Sequence, residues 1–291
     1  MDEMLFCRNA ENGEMTLPLA IGRDENGRPL WLDLAAAPNI LLAGCTKQGK
    51  SVAMNAMIAS LMLLEVQEEV KFIFIDPKRA ELAVWAGTAG SRYAGGESEA
   101  NAELDRLTVE MESRLSGLAE DSRRKYPKIV VFVDEYADLM DYGSKKTAAF
   151  KNIVGMSKAG NAVGIHMVIS TNRVSGKVIT KEIKENFPVR MGFRMLDKRG
   201  SIVTLDTPGA EWLNGKGDML LLRESDVKRE LSTFISFNFP ICIRIRSGVE
   251  RVQGTFLSPD ECMAIKEENN IDYDSVVTPE KKMKYLEKLQ K

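Results

Sequence analysis

The chain has 291 residues, 44 % hydrophobic and 28 % charged, which predicts one or two globular domains with a sizeable core. Its 40 basic and 42 acidic residues leave a formal charge of −2, so composition gives no support to a dedicated nucleic-acid binder. The four cysteines are far apart and the only histidine is His166, which argues against a disulfide scaffold, a structural zinc site and any multi-histidine site.

The predicted elements begin with two short strands, at residues 17–21 and 29–32, joined by a Gly/Asp/Asn-rich turn. From residue 39 onwards, short apolar runs alternate with longer helical patterns. The runs lie at residues 40–43, 71–75, 129–133, 165–170, 189–194 and 219–222. Several are apolar throughout, which is typical of strands buried on both faces of a parallel sheet.

Helical patterns separate these strands. One follows the first apolar run, at residues 52–64, and another places apolar residues at steps of three and four from Leu104 to Leu118. Strands that alternate with helices predict a three-layer α/β domain with a mostly parallel central sheet. A last strand, at residues 242–246, alternates apolar and basic residues, so we expect it near a sheet edge.

The strongest motif is GCTKQGKS at residues 44–51, between the first apolar run and the helical pattern that follows it. It matches G-x-x-x-x-G-K-[ST] in the strand–loop–helix context of a P-loop, whose amides and helix N-terminus bind phosphates. Lys50 is expected to reach the β- and γ-phosphates of ATP, and Ser51 to bind Mg²⁺. The predicted ATP-binding residues are Gly44, Cys45, Thr46, Lys47, Gln48, Gly49, Lys50, Ser51 and Val52.

A second motif, IVVFVDE at residues 129–135, has the Walker B pattern of an apolar strand followed by two acidic residues. Asp134 at the strand end is suited to hold the Mg²⁺ shell. Glu135 is suited to orient and deprotonate the attacking water, which distinguishes an ATP hydrolase from a protein that only binds nucleotide.

Polar residues also end the run at residues 165–170. Thr171 and Asn172 are placed to contact the γ-phosphate or its attacking water, and Asn172 is a catalytic candidate. Simple strand termination is the alternative explanation. His166 lies inside this run and is predicted to be a packed core residue.

Several motifs in this order resemble the motor of the FtsK/SpoIIIE DNA translocases. They are the P-loop with residues 52–62, FIDPK at 74–78 with Glu81 and Leu82, VDEYADLM at 133–140, GIH at 164–166, GAE at 209–211, GKGDML at 215–220 and RVQGTFLS at 251–258. The resemblance covers residues 17–265, about 85 % of the chain. It implies a RecA-like P-loop NTPase fold, homo-hexameric rings, ATP hydrolysis and movement along double-stranded DNA.

On this resemblance the chain divides into three segments: a short β segment packed on the motor at 1–37, the motor at 38–265, and a charged helical tail at 266–291. The family's membrane helices and DNA-reading domain are not apparent, so we expect the motor half alone. The position of the family's proposed arginine finger holds Asn161, which lacks the charge of an arginine. Lys198 matches the family's second trans-acting basic residue and is a catalytic candidate from the neighbouring subunit.

The stretch from residue 177 to residue 199 contains seven basic and three acidic residues, a local charge of +4. Loops that follow the strands face the pore in ring motors, so this stretch could bind DNA phosphates there. The predicted DNA contacts are Arg173, Lys177, Lys181 and Lys184. An exposed, solvated helix face is the alternative.

The leading hypothesis is therefore an ATP-dependent double-stranded DNA translocase that serves segregation, conjugation or mobile-element transfer. Two alternatives stay open: a ring ATPase that moves protein cargo in type VII-like secretion, and a low-turnover nucleotide-binding docking module, which Asn161 motivates. No apolar run reaches the ~18 residues that span a bilayer, and no signal peptide is apparent. We expect a cytoplasmic protein, with a membrane-anchored partner on another chain left open.

Overall fold

The computed structural model describes residues 15–63, 70–140, 147–224, 232–237, 241–246 and 248–270. Its strands are β1 (Pro18–Asp24), β2 (Pro29–Asp33), β3 (Asn39–Ala43), β4 (Val70–Asp76), β5 (Ser91–Gly95), β6 (Lys128–Val133), β7 (Ile165–Thr171), β8 (Val189–Phe193), β9 (Asp218–Arg223), β10 (Ser232–Phe237), β11 (Ile241–Arg246) and β12 (Val249–Gly254). Its α-helices are α1 (Lys50–Leu63), α2 (Glu97–Glu120), α3 (Ala148–Ala159), α4 (Lys181–Asn186), α5 (Lys198–Leu205) and α6 (Pro259–Asn270). Within these ranges, no helix is both long and apolar enough to cross a membrane.

Ten strands form one sheet, in the order β2-β1-β12-β9-β8-β3-β7-β6-β4-β5. The six strands from β8 to β5 are parallel, and the remaining four continue the sheet antiparallel. This arrangement confirms the predicted α/β fold with a mostly parallel central sheet.

Helices cover both faces of the central part of this sheet, which explains why central strands such as β3 are almost entirely apolar. Along β3, Leu41 and Ala43 pack into a cluster with residues of α2 and α3. Their neighbours Ile40 and Leu42 belong to the opposite cluster, with residues of α1 and α6. Successive side chains of a strand point to opposite faces, so a strand covered on both sides carries apolar residues at every position.

The two short strands near the start of the chain are part of the same sheet. They form the hairpin β1–β2, and β1 pairs with β12 in a register that places Gly22 opposite Gly254. Gly22 has φ +154°, and a Cβ there would lie 2.1 Å from the carbonyl oxygen of Gln253. The hairpin is therefore attached through a close backbone contact that requires glycine.

Two strands at sheet edges, β5 and β10, were not predicted, whereas β11 was. The edge strand β5 is missing from the sequence analysis, because its SRYAG sequence contains only one aromatic and no β-branched residue. The strand predicted at residues 242–246 forms and lies at a sheet edge as expected, because it pairs with β10 in a separate two-stranded sheet.

The carboxyl ends of the parallel strands place the site. Strands β3, β7, β6 and β4 are adjacent and parallel, so the loops after them meet at one edge of the sheet. Ligands of open α/β sheets bind at this edge. At the other end of the chain, α6 runs across the boundary predicted at 265/266, and residues 271–291 lie outside the described residues.

Candidate active site

The P-loop connects buried strand β3 to helix α1, and two of its glycines are required by close contacts. Gly44 has φ +153°, and a Cβ there would lie 2.8 Å from Cβ of Phe193. Gly49 has φ +110°, and a Cβ there would lie 2.6 Å from the backbone nitrogen of Gly217. A side chain at Gly44 would collide with Phe193, and one at Gly49 would collide with the Gly217 backbone, so the loop takes this shape only with glycine at both positions.

Backbone hydrogen bonds hold the loop between two other segments. The Cys45 amide donates to the Arg194 carbonyl at 2.9 Å, and the Gly217 amide donates to the Gln48 carbonyl at 2.9 Å. The loop encloses one side of a cavity of about 520 Å³. Of the predicted ATP-binding residues, six line this cavity, namely Thr46, Lys47, Gly49, Lys50, Ser51 and Val52. The other three, Gly44, Cys45 and Gln48, do not line the cavity. They contact Phe193, Arg194 and Gly217 and so hold the loop in place.

Lys50 lies at the base of the loop. Its Nζ donates to the carbonyl oxygens of Gly44 and Cys45, at 2.8 Å each, and only 8 % of the residue is exposed. Burial lowers the pKa of Lys50, and the nearby carboxylates of Glu135 and Asp134 oppose that shift. The ammonium group therefore lies against two carbonyl oxygens of the loop, and Lys50 lines the cavity.

Asp134 follows β6 on the opposite wall of the cavity. Its amide donates to the Ile75 carbonyl at 2.9 Å, and its Oδ1 accepts from Ser170 Oγ at 2.6 Å. Burial raises the pKa of Asp134 to about 6, although the Ser170 hydrogen bond acts in the opposite direction. The negative charges of Asp76, Glu81 and Glu135 add to the increase. A cation beside these carboxylates would restore the charged form.

Glu135 is held on both carboxylate oxygens by the end of β7. Its Oε1 accepts from Thr171 Oγ1 at 2.8 Å and its Oε2 accepts from the Asn172 amide at 2.8 Å, while its own amide donates to Ser170 Oγ at 3.1 Å. Its backbone is left-handed, with φ +46°, a conformation that non-glycine residues adopt at a cost. These contacts fix a buried carboxylate on the wall of the cavity that faces the P-loop.

The donor set fits Mg²⁺. Ser51 and Asp134, the two predicted ligands, both line the cavity and offer hydroxyl and carboxylate oxygens. In the described ranges, no group of three or more His, Cys, Asp or Glu side chains could hold a metal by itself. Mg²⁺ commonly keeps several waters and binds through one or two protein oxygens plus substrate phosphates, and Ser51 and Asp134 offer such oxygens.

Two ion pairs that share Asp138 lie beside the cavity and were not predicted from the sequence. Asp138, from the short 3₁₀ turn after Glu135, contacts Lys78 Nζ at 2.8 Å and Arg173 Nη2 at 2.9 Å. The hydrogen bond to Asp138 raises the pKa of Lys78. Asp138 thereby links the loops after β4, β6 and β7, and connects Lys78 of the cavity wall to the predicted DNA contact Arg173.

The predicted trans-acting positions lie away from this cavity. Lys198 begins α5 on the exposed surface, and it does not line the cavity of its own chain. Asn161 is exposed in the 3₁₀ turn before β7, at the amino-terminal end of that strand, whereas Thr171 and Asn172 are at the other end. His166 is 1 % exposed within β7, which confirms the prediction of a core histidine.

The basic stretch is partly neutralised by acids from outside it. Arg190 is buried and contacts both Asp206 and Glu224, and Lys184 also contacts Asp206. The exposed Lys181 lies 3.5 Å from Glu185 of its own helix. Lys177 is exposed in the loop after β7, at the same sheet edge as the cavity. The predicted DNA contacts therefore differ in their surroundings, and their role stays a prediction.

The remaining wall of the cavity comes from residues of the family-like motifs at 215–220 and 251–258, for which no individual role was predicted. They precede β9 or end β12, and they are Lys216, Gly217, Gln253, Gly254, Thr255 and Phe256. The signal available in the sequence was the pair of glycines around Lys216, since glycine before a strand often marks a close backbone approach. The Gly49–Gly217 contact is such an approach.

Comparison with known proteins gives related sequences. The model of the FtsK/SpoIIIE family matches residues 2–126. A DNA translocase FtsK from Treponema pallidum is 35 % identical over 242 residues, which cover 77 % of this chain and 30 % of the relative. One from Halalkalibacterium halodurans is 32 % identical in an alignment of 314 positions that covers 99 % of this chain and 37 % of the relative. The chain thus spans about a third of the length of these curated relatives.

Two solved structures are similar in fold. The conjugation coupling protein TcpA of pCW3, with ATPγS, has a TM-score of 0.61 at 21 % identity, over 93 % of this chain and 71 % of that one. EccC (ATPases 2 and 3) of Thermomonospora curvata, with a signal sequence peptide, has a TM-score of 0.64 at 19 % identity, over 88 % of this chain and 43 % of that one. At these identities the likeness concerns the fold, and it confirms a P-loop ATPase architecture.

Proposed function

The chain belongs to the FtsK/SpoIIIE family, and we propose that it is an ATP-hydrolysing motor that moves double-stranded DNA. The observation that carries this proposal is the position of Glu135, buried opposite the P-loop and held on both oxygens by Thr171 and Asn172. A protein that only binds nucleotide needs no carboxylate held in this way. The curated relatives, which are named DNA translocases, support DNA as the cargo.

In the proposed reaction, water attacks the γ-phosphate of ATP and the bond to the β-phosphate breaks, which releases ADP and phosphate. Glu135 orients the water and accepts its proton. Lys50 leaves the carbonyls of Gly44 and Cys45 and donates to the β- and γ-phosphates, where negative charge develops. Ser51 and Asp134 would hold Mg²⁺, which supplies charge neutralisation at the phosphates.

Coupling to DNA would proceed through the edge of the sheet that carries the cavity. Asp138 joins Lys78 of the cavity wall to Arg173, the leading candidate for a DNA contact, so a change at the phosphates can reach Arg173 through two ion pairs. We place Lys177, Lys181 and Lys184 on the same DNA path. In a homo-hexameric ring in the cytoplasm, Lys198 would complete the site of the neighbouring subunit, since no arginine occupies position 161.

The test measures the ATPase rate of the purified chain with and without duplex DNA. We expect DNA to stimulate the wild type, Lys50→Ala to lose nucleotide binding, and Glu135→Gln to bind ATP while losing nearly all turnover. Arg123→Ala is the control, because its exposed side chain lies before β6, at the amino-terminal edge of the sheet. Undiminished turnover in both site variants would overturn the proposed hydrolysis.

The same experiment separates the remaining candidates. Turnover that duplex DNA does not stimulate would favour protein cargo over DNA. Tight ATP binding with background turnover, even on DNA, would favour the low-turnover module that Asn161 motivates. Restored turnover in Asn161→Arg would then identify the missing positive charge as the cause.

A further inference from the structure

The cavity has one wall that the hydrolytic chemistry does not use. The phosphate machinery accounts for the P-loop and for Asp134, Glu135 and Asn172. The end of β12 contributes Phe256, a large apolar residue that is 64 % exposed and lines the same cavity. An exposed aromatic ring in this cavity has no role in phosphate binding, and it suits a ligand with a flat apolar face.

The backbone around Phe256 fixes its ring on the cavity side. Its neighbours Thr255 and Leu257 are 4 % and 1 % exposed, so Phe256 is the one exposed residue of the three. Helix α6 then begins with a capping box, in which the Ser258 amide donates to Glu261 Oε2 at 2.9 Å and the Glu261 amide donates to Ser258 Oγ at 3.4 Å. Phe256 is thus held between a strand end and a capped helix.

A ladder of backbone contacts fixes this wall relative to the P-loop. The Gly217 amide donates to the Gln48 carbonyl, and the Gly254 amide donates to the Gly217 carbonyl, both at 2.9 Å. Gln253 Nε2 adds a hydrogen bond to the Lys216 carbonyl at 2.9 Å. Because each step is short and mostly backbone, the distance between the phosphate loop and Phe256 is set by the fold.

We infer that Phe256 is the stacking platform for the base of the bound nucleoside triphosphate. Lys50 and Glu135 define the γ-phosphate end of the cavity, and Val52, which follows the P-loop serine, extends its lining past the phosphate loop. The base would lie against Phe256 through its π-face, a contact that any base can make. The inference rests on the proposed function, because it assigns the base end of the same nucleotide site.

The test compares two ligands that share phosphates and differ in the base. Binding of Mg²⁺–ATP and of Mg²⁺–tripolyphosphate is measured by calorimetry for wild type, Phe256→Ala, Phe256→Trp, Lys50→Ala and Val109→Ala. Val109 is 65 % exposed on α2 and serves as the matched control for loss of an exposed apolar side chain. We expect Phe256→Ala to weaken ATP binding by on the order of tenfold and to leave tripolyphosphate binding unchanged.

The same data show which assumption fails. Phe256→Trp and Val109→Ala are expected to bind ATP as the wild type does. Wild-type ATP affinity in Phe256→Ala would overturn the stacking role, and so would an equal loss for both ligands, which would indicate a changed loop shape. A Lys50→Ala protein that still binds both ligands would instead contradict the nucleotide site itself.

Discussion

At the scale of single residues, the site depends on side chains whose charge state or geometry is set by neighbouring strands. Ser170 and Thr171 end β7, and they donate to Asp134 and Glu135, which follow β6. Strands β6 and β7 are adjacent and parallel, so the two hydroxyls reach the two acids directly. The polar residues at the end of β7 therefore do more than end the strand, because they orient Asp134 and Glu135. The predicted contact of Thr171 and Asn172 with the γ-phosphate or its water stays a prediction.

Asp134 gives a prediction about stability and pH. Its folded-state pKa of about 6 exceeds the value of 3.8 for an exposed aspartate, so the folded protein binds more protons than the unfolded chain between these pH values. The free energy of unfolding therefore falls as pH rises from about 4 to about 6, and ionised Asp134 destabilises the nucleotide-free protein at neutral pH. We expect Asp134→Asn to be more stable at pH 7.5, by on the order of 2 kcal/mol.

Denaturant unfolding at several pH values without nucleotide checks this prediction. The advantage of Asp134→Asn over the wild type is expected to shrink as pH is lowered towards 4. Asp121→Asn, an exposed carboxylate between α2 and β6, is the control and should change little. With Mg²⁺ and ATP added, the wild type should gain more stability than the variant, because ligand binding stabilises the folded state in proportion to affinity. An Asp134→Asn protein no more stable than wild type at pH 7.5 would contradict the assignment.

At the scale of elements, the P-loop depends on two segments that lie far away in sequence. Gly49 packs against the backbone of Gly217, which precedes β9. The Gly217 carbonyl in turn accepts a hydrogen bond from the Gly254 amide at the end of β12. We expect Gly49→Ala to lower the free energy of unfolding by about 2 kcal/mol, measured by denaturant unfolding, and to weaken ATP binding. Its Cβ would collide with the Gly217 backbone, and φ +110° disfavours any side chain.

Gly155→Ala is the matched control for that experiment. Gly155 lies within α3, and a Cβ there would meet nothing within 4 Å. Alanine favours a helix interior over glycine by up to about 1 kcal/mol, so this variant should gain stability and keep its ATP affinity. Equal effects of the two substitutions would show that the Gly49–Gly217 contact does not matter.

The elements also show what the sequence could predict. The central strands and the P-loop were predictable because apolar runs, a glycine pattern and the following helix are all local signals. The far wall of the cavity was not predictable, since Phe256 follows the P-loop by some 200 residues and only the pairing of β12 with β9 brings it there. The Asp138 ion pairs were missed for the same reason, as they join three separate loops.

At the scale of the whole molecule, the formal charge of −2 combines a locally basic stretch with acids packed against it. Asp206 and Glu224 form ion pairs with Arg190, and Asp206 also pairs with Lys184. The exposed basic residues near the carboxyl edge of the sheet include Lys177, Arg194, Lys198 and Arg199. A single chain therefore presents few cations to DNA. Under the proposed DNA function, we expect useful affinity only when several copies present these cations to one duplex.

This charge distribution predicts that DNA affinity depends on assembly and on salt. We expect weak binding where sedimentation shows a monomer, and a steep gain at protein concentrations where ATP analogue promotes a larger species, because linked sites multiply affinity. Raising salt from about 50 to about 200 mM should weaken the assembled complex severely through counterion release.

Lys177→Ala should lower both the DNA affinity and the slope of its salt dependence, whereas Arg123→Ala, at the opposite edge of the sheet, should change neither. Salt-independent binding, or monomer binding as tight as that of the assembly, would mean that phosphates are not bound by converging basic loops.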